Sequence, residues 1–238
     1  MTARSELLAA VSALVIAGAL STGTAGAASL GAPVVPAWTG FYAGFGTAAA
    51  INKSTADFVW VPSTVDGTND FSATNFAGSV DGGYDFQAGR MVFGATANFD
   101  FAFSHDTEIW GKDPDHHQRM TSDIGTQWGI GVRLGGLLTD TTLLYGAAGY
   151  AGASAHITAF DDAATAKAYD GNLTLSGYYL GAGIETIISN GWSLKTEYRV
   201  SKYSNGFMTP VFDDPDTAAI NFHDFSSQTV KLSLDHRF

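Results

Sequence analysis

Four histidines lie in polar stretches of the chain, where their imidazoles could bind haem or a divalent metal. They are His105, His116, His117 and His223, and Asp113, Asp115 and Asp224 lie near them in sequence. Imidazole is a common ligand of both haem iron and divalent metals. Adjacent histidines do not chelate one ion well, however, and no fixed ligand spacing accompanies these four. The pattern favours solvated loops with no cofactor, and a loop site for haem or a metal is the alternative.

Catalytic residues are harder to find in this chain. Ser122, Asp123 and His117 could form a nucleophilic triad by residue type alone. Such a triad also requires an oriented base and an oxyanion hole, and the neighbouring residues indicate neither. The Gly-x-Ser-x-Gly and His-Glu-x-x-His motifs do not occur in the sequence. We therefore expect a protein that is not an enzyme.

A second group of charges alternates with apolar residues in the segment Gly191 to Tyr203, GWSLKTEYRVSKY. Lys195, Glu197 and Arg199 share one parity of this segment, and its aromatic and aliphatic residues share the other. A period of two is that of a β-strand with one charged and one apolar face. A soluble sheet would turn the charges to water, whereas a membrane barrel would turn the apolar face to lipid and the charges inward.

The alternation recurs along the chain, and a composition with 13% aromatic residues, 15% charged residues and 28 glycines favours one all-β domain. Strands are predicted at 38–50, 75–86, 91–103, 124–138, 142–157, 173–188, 191–203 and 225–238. Short turns are predicted at 87–90, 139–141 and 190–191. Asn190 and Gly191 suit a two-residue hairpin because both residue types tolerate positive φ. Longer polar connections alternate with these turns.

This alternation of short and long connections indicates a membrane barrel, because outer-membrane barrels keep short turns in the periplasm and long loops outside the cell. Phe238 is the last residue and shares the parity of Leu234 and Leu232. This arrangement resembles the C-terminal aromatic signal by which outer-membrane barrels are recognised for assembly. The sequence therefore predicts an eight-stranded antiparallel transmembrane β-barrel in a bacterial outer membrane. Its turns should be periplasmic and its long loops extracellular.

The N-terminal segment is predicted to be a secretory signal peptide, residues 1–27. Arg4 precedes an apolar stretch from Leu7 to Leu20, and Ala25-Gly26-Ala27 forms a small-residue cleavage site. Residues 28–37 are then a linker, and residues 38–238 form the barrel domain. The absence of cysteine excludes disulfides and thiolate metal sites. A net charge of −11 argues against binding to nucleic acid.

Charged side chains concentrate on the parity assigned to the barrel interior. They are Asp81, Asp85, Asp100, Arg133, Glu185, Lys195, Glu197, Arg199, Lys231, Asp235 and Arg237. An eight-stranded interior is just wide enough for side chains to fill. We therefore expect these acids and bases to pair with one another as a structural core, and a narrow ion path or proton relay is the alternative. On the opposite parity, Trp38, Trp128, Tyr178, Trp192 and Tyr198 are candidates for interfacial aromatic girdles.

Four stretches resemble the small porin-like immunogenic outer-membrane proteins of alphaproteobacteria, the Omp25/Omp31 group. They are WTGFYAG (38–44), FAGSVDGGYDFQ with VFGATANFDF (76–101), IGTQWGIGVRLG with LLYGAAGYA (124–151), and GAGIETIISNGWSLKTEYR (181–199). The chain departs from the family at Thr96 and Asn98, where acids are usual, and at His236, where an aromatic residue is usual.

The resemblance implies an eight-stranded barrel with a structural, envelope-integrity or antigenic role, and some relatives bind haemin. The expected partners are outer-membrane lipid and lipopolysaccharide, the barrel-assembly machinery and periplasmic chaperones. A receptor for haem or another small ligand, or a narrow porin, is the alternative.

Overall fold

The computed structural model describes residues 38–60, 64–102, 108–110, 119–160, 167–204, 206–208 and 217–238. The predicted signal peptide (1–27) and linker (28–37) lie outside these residues, and both stay predictions. Within the described ranges, no helix is long and apolar enough to cross a membrane.

The described residues form one antiparallel sheet of ten strand segments. They are β1 (Gly40–Trp60), β2 (Thr64–Ala88), β3 (Met91–Ala102), β4 (Glu108–Trp110), β5 (Arg119–Thr139), β6 (Thr142–Phe160), β7 (Lys167–Ser189), β8 (Trp192–Tyr203), β9 (Gly206–Met208) and β10 (Thr217–Arg237). The last strand, β10, pairs with β1 and closes the sheet into a barrel. The short β4 pairs with β5 as β3 does, and β9 pairs with β10 as β8 does. Each short segment therefore continues the strand before it, and the predicted eight-stranded antiparallel barrel is confirmed.

The hydrogen-bonded register shows how strongly the strands are staggered. A row of paired residues that starts at Phe41 on β1 passes through Val132 on β5 and Val200 on β8, and it returns to β1 at Ile51. One circuit thus shifts the register by ten residues. Closed barrels need such a shift because their strands tilt against the barrel axis. Paired residues on successive strands consequently lie at successive heights in the membrane.

Tight turns connect the strands at the end of the barrel where the chain also terminates. Gly89 has a φ of 62° in the β2–β3 turn, and Asn190 and Gly191 have φ values of 45° and 82° between β7 and β8. Positive φ at both central residues matches the right-handed twist of the flanking strands. The two-residue hairpin predicted at Asn190-Gly191 is therefore confirmed.

At the opposite end, the strands extend well beyond the predicted bounds. The strand predicted to end at residue 50 continues to Trp60, and the strand predicted to begin at 225 begins at Thr217. Parts of the predicted connections at 104–123, 158–172 and 204–224 are likewise paired in the sheet. Just beyond the apolar band, the described outward-facing residues include Lys53, Ser154, Thr174 and Lys202, so the alternation of apolar and polar residues is lost there. The backbone pairing continues because it depends on the partner strand and not on that alternation.

The two faces of the barrel differ as a membrane protein requires. On β8, exposed and buried residues alternate from Trp192 to Tyr203. The outward-facing apolar band includes Phe41, Phe45, Val80, Phe93, Val132, Leu180, Leu194 and Leu232. On β8 and β10 it extends from Trp192 to Val200 and from Phe238 to Val230, close to the roughly 9–11 residues that a tilted strand needs to cross a bilayer.

Four of the five predicted girdle residues face outward: Trp128, Tyr178, Trp192 and Tyr198 are 39–57% exposed. The prediction for Trp38 is wrong, because its side chain is 0% exposed. Its indole Nε1 donates to the Asp140 carbonyl at 3.3 Å, and its own carbonyl accepts a hydrogen bond from Arg237 at 2.9 Å. Trp38 therefore packs at the periplasmic end of the interior, in a site made by residues that follow it by about 100 and 200 positions.

Candidate functional site: the charged lumen

Strand alternation places all eleven predicted interior charges inside the barrel. Their side chains are at most 10% exposed in the ion pairs that they form. Because acids outnumber bases by six to five in this set, the network carries one net negative charge. Burying an ion costs several kcal/mol of desolvation free energy, which an ion of opposite charge and hydrogen bonds must offset.

Two arginines and two acids form a compact cluster at the periplasmic end. Arg133 donates from Nε to Asp85 at 2.8 Å, pairs with the same carboxylate through Nη2, and donates from Nη1 to Glu185 at 2.8 Å. Arg237 binds the same two carboxylates at 2.8 and 3.2 Å. The Ser193 hydroxyl adds a 2.7 Å hydrogen bond to Glu185. The cluster is neutral, and it joins β2, β5, β7 and β10 across the lumen.

The next cluster holds one base between two acids. Lys195 pairs with Asp81 and with Asp235, the latter at 2.6 Å, and so links β8 to β2 and β10. Oδ1 of Asp235 has no hydrogen-bond partner among the described residues and lies against Gly44. This cluster therefore carries the extra negative charge of the lumen.

A third cluster is built around Asp100. Lys231 donates to both of its oxygens, at 2.8 and 2.5 Å. The Ser79 hydroxyl donates to Asp100 at 2.6 Å, and the Asn98 amide donates to it at 3.2 Å. Charge-assisted hydrogen bonds of this kind fix the positions of both partners. The pair consequently ties β3 to β10 across the barrel.

Glu197 and Arg199 lie two residues apart on β8 and bind each other. Arg199 donates from Nε to Glu197 at 2.9 Å, and Tyr145 donates to the other Glu197 oxygen at 2.9 Å. The Arg199 guanidinium also donates to Asn98 at 2.5 Å and lies 3.9 Å from the centre of the Tyr179 ring. Asn98, which stands where the resembling family usually has an acid, therefore contributes a neutral acceptor to Arg199 and a donor to Asp100.

The charges pair both between neighbouring strands and between strands that are not neighbours. Lys195 and Asp235 do lie on adjacent strands, β8 and β10. Arg133, however, reaches from β5 to Asp85 and Glu185, and Lys231 reaches from β10 to Asp100. The interior of a small barrel is so narrow that long side chains reach partners two or three strands away.

Three inward-facing tyrosines fill the space between these clusters. Tyr42, Tyr145 and Tyr179 are 0–3% exposed. Each ring lies against glycine on a neighbouring strand: a Cβ at Gly83 would be 2.7 Å from the Tyr42 hydroxyl, and one at Gly149 would be 2.7 Å from the Tyr179 ring. Glycine at these positions thus leaves space for the tyrosine rings, which fill the lumen between the charged clusters. The rings also lie beneath cations, since Arg133 is 4.5 Å from the Tyr42 ring centre and 5.2 Å from that of Tyr145.

Several residues of this network were not identified from the sequence. They are Trp38, Tyr42, Ser79, Asn98, Tyr145, Tyr179 and Ser193. For Ser79, Asn98, Tyr179 and Ser193 the available signal was their parity, which matches that of the charged residues on the same strands. Trp38, Tyr42 and Tyr145 lie on or beside strands that carry none of the eleven interior charges, so this signal was missing for them. Neutral polar and aromatic side chains occur on both faces of a barrel, however, so residue type alone did not single them out.

Above the charged clusters, the described lumen-facing residues are neutral, and several of them are small. Ala151, Ala153 and Ala155 on β6 are 1–3% exposed, and Leu175 and Phe225 fill the space from other strands at 1% exposure. Tyr203 donates to Gln127 at 3.1 Å across this region. The packing therefore extends beyond the ion pairs toward the extracellular end.

Of the predicted haem or metal ligands, His105, His116 and His117 lie outside the described residues. His223 lies in β10 rather than in a loop, and its Nδ1 is 3.0 Å from Asp224. Within the described residues, no group of three or more metal-binding side chains comes together. Of the triad considered above, Ser122 and Asp123 lie in β5, and their side chains are outside the described set.

Phe238 lies on the lipid-facing side of the last strand, and its side chain is 78% exposed. Its backbone NH donates to the Phe41 carbonyl at 2.9 Å, so the terminal residue takes part in the seam between β10 and β1. The rings of Trp192, His236 and Phe238 follow one another at centroid distances of 4.8 and 4.9 Å. His236 thus occupies a position in an aromatic row at the periplasmic rim.

Solved structures and curated proteins resemble this chain over most of its length. The outer membrane protein OprG from Pseudomonas aeruginosa superposes with a TM-score of 0.56 at 11% identity, covering 84% of this chain and 97% of that one. At this identity the likeness shows the fold alone. The 31 kDa outer-membrane immunogenic protein of Brucella melitensis is 27% identical over 212 residues, 84% of each chain. The 22 kDa outer membrane protein of Rhizobium leguminosarum is 28% identical over 210 residues, 87% of this chain and 82% of that protein.

The family comparison covers nearly the whole sequence. Residues 15–238 match the family model described as the outer membrane protein beta-barrel domain. Together with the closed eight-stranded barrel and its apolar outer band, this match establishes the cellular location that the sequence predicted. The chain belongs to the outer membrane protein beta-barrel domain family and is a β-barrel protein of the bacterial outer membrane.

Proposed function

We propose that this protein is a structural component of the outer membrane, with a closed barrel, no catalytic activity and surface loops that act as antigens. The observation that carries the proposal is the filled lumen, in which ion pairs join non-adjacent strands at several levels. Arg133 and Lys231 each bridge strands that are not neighbours. Side chains held in this way would obstruct a continuous aqueous path through the barrel.

The names of the relatives support the antigenic part of the proposal. The Brucella proteins are named as outer-membrane immunogenic proteins. Strands that continue beyond the apolar band would hold the connecting segments away from the membrane surface, where antibodies can reach them. As a β-barrel of the outer membrane, the protein would have outer-membrane lipid and lipopolysaccharide as partners. During its assembly, its partners would be periplasmic chaperones and the barrel-assembly machinery. Phe238, exposed on the outer face of the final strand, supports a role of that strand in assembly.

Conductance through the refolded monomer in a planar lipid bilayer tests the closed barrel. We expect no steady conductance at neutral pH, because an eight-stranded interior is filled by its side chains. A general diffusion porin inserted under the same conditions is the positive control. Large and long-lived channels in the monomer would overturn the proposal in favour of a porin.

A further inference from the structure

Basic side chains are distributed very unevenly over this barrel. Among the residues whose side chains the structure describes, five bases point into the lumen and Arg90 lies in a turn at the periplasmic end. Arg90 donates to the Leu137 carbonyl at 2.6 Å. The two remaining described bases, Lys53 and Lys202, are both exposed on the outer face of the strands.

These two lysines lie in one row of the sheet. Lys53 on β1 pairs with Ser226 on β10, and Ser226 pairs in turn with Lys202 on β8. Adjacent strands are about 4.8 Å apart, so the two lysine Cα atoms are roughly 10 Å apart. Flexible lysine side chains can reach a single group from that separation. The two lysines therefore flank Ser226 on the middle strand.

The row lies at the extracellular edge of the apolar band. Lys53 is the next outward-facing residue after Ile51, and Lys202 is the next after Val200. Gln228, between Ile51 and Val200 in the register, accepts a hydrogen bond from the Tyr198 hydroxyl at 3.0 Å, which leaves its amide nitrogen as a donor. Lys53, Lys202, Ser226 and Gln228 thus present four donor groups at the height of the lipid headgroups.

We propose that Lys53, Ser226, Gln228 and Lys202 bind a phosphate group of lipid A in the outer leaflet; the inference rests on the proposed role of this protein as a structural outer-membrane barrel with lipid partners. Charge complementarity selects the ligand, because two cations and two neutral donors face an interface where the lipid carries phosphates. The acyl chains of the same lipid would lie along the apolar band below. Asp224, the next acid along β10, lies 3.0 Å from the Nδ1 atom of His223.

Binding of fluorescent bis-phosphorylated lipid A to the refolded protein in zwitterionic micelles tests this site. We expect Lys53→Gln with Lys202→Gln to weaken binding about 25-fold, because each lysine near an anionic surface contributes about fivefold. Lys53→Arg with Lys202→Arg keeps both charges and should bind within about twofold of the wild type. Equal affinity of the wild type and the double glutamine variant would overturn the proposal.

A second pair of variants tests the same site while keeping both lysines. Ser226→Glu places an acid between them and should weaken binding as strongly as their removal. Ser154→Glu is the control, because Ser154 also faces outward but lies on β6, away from the two lysines. An equal loss in the two serine variants would mean that only overall charge matters, and it would overturn the assignment.

The ligand itself is tested by two further probes. Dephosphorylated lipid A should bind the wild type and the double glutamine variant equally, and inorganic phosphate should compete only at far higher concentrations. The lipid phosphate would be ruled out as the ligand if the double glutamine variant still bound dephosphorylated lipid A more weakly than the wild type did. Competition by inorganic phosphate at a concentration equal to that of lipid A would also rule it out. Conductance is measured separately, so a conducting wild type would refute the closed barrel without altering the lipid-binding result.

Discussion

At the scale of single residues, Glu197 shows how a buried charge depends on its surroundings. Its two oxygens accept hydrogen bonds from Arg199 and Tyr145, and its residue is 6% exposed. A glutamine at this position keeps the shape but removes the charge that offsets Arg199. The cation would then remain in an interior that water enters poorly. Breaking one side of a buried ion pair is costly for this reason.

We expect Glu197→Gln to lower the free energy of unfolding by about 3–5 kcal/mol. Urea unfolding in lipid vesicles, followed by tryptophan fluorescence, measures the change. The combined change Glu197→Gln with Arg199→Gln should be milder, since neither charge is left alone. Asp140→Asn in the exposed turn between β5 and β6 is the control and should stay within about 0.5 kcal/mol. A loss below about 1 kcal/mol in Glu197→Gln would indicate a wet lumen.

At the scale of the strand, the register decides how deep an outward-facing residue lies in the lipid. Val132 lies midway along the row that climbs from Phe41 to Ile51, and it is 63% exposed on the outer face. Tyr198 lies only four residues before Lys202, nearer the extracellular edge of the band. The depth of the two sites therefore differs, although both residues face lipid.

We expect Val132→Arg to destabilise the barrel by about 2–4 kcal/mol and Tyr198→Arg by about 1 kcal/mol, because the cost of arginine falls from the midplane to the interface. Unfolding in vesicles of defined thickness measures both variants. Thr174→Arg is the control, since Thr174 faces outward above the band. Equal and negligible effects in all three variants would mean that this face of the sheet does not contact lipid.

At the scale of the whole molecule, the barrel begins at Trp38. The compact unit comprises Trp38–Phe238. Besides the bonds to Asp140 and Arg237 described above, the backbone NH of Trp38 donates to Gln87 at 3.3 Å. The Arg237 guanidinium lies 5.0 Å from the centre of the indole ring. Trp38 therefore holds together three distant parts of the chain at the periplasmic end.

We expect a chain that begins at Pro36 to refold with the same stability as one that begins at Ala28. Trp38→Ala in either chain should lower the free energy of unfolding by about 3–5 kcal/mol, as for other large buried aromatic residues. Heat-dependent mobility in gels and urea titration measure folding and stability. If the shorter chain failed to refold while the longer one succeeded, residues 28–35 would belong to the folded domain and not to a linker.

The sequence by itself determined the alternation of faces, the number of strands and the short turns. These features depend on local chemistry, because side chains alternate across a strand and positive φ at Asn190 and Gly191 favours one kind of hairpin. The same alternation assigned the interior charges to the parity that the structure turns into the lumen. The family resemblance independently implied the same architecture.

Only the tertiary structure decided which groups meet inside the barrel. The partners of Arg133 lie about 50 residues away in either direction, on β2 and β7. Their meeting depends on a register shift of ten residues around a closed sheet, which no local pattern encodes. For the same reason the sequence assigned Trp38 to the membrane interface, placed His223 in a loop and left the row of Lys53, Ser226 and Lys202 unrecognised. Contacts across a closed barrel are set by stagger and curvature, and these are properties of all eight strands together.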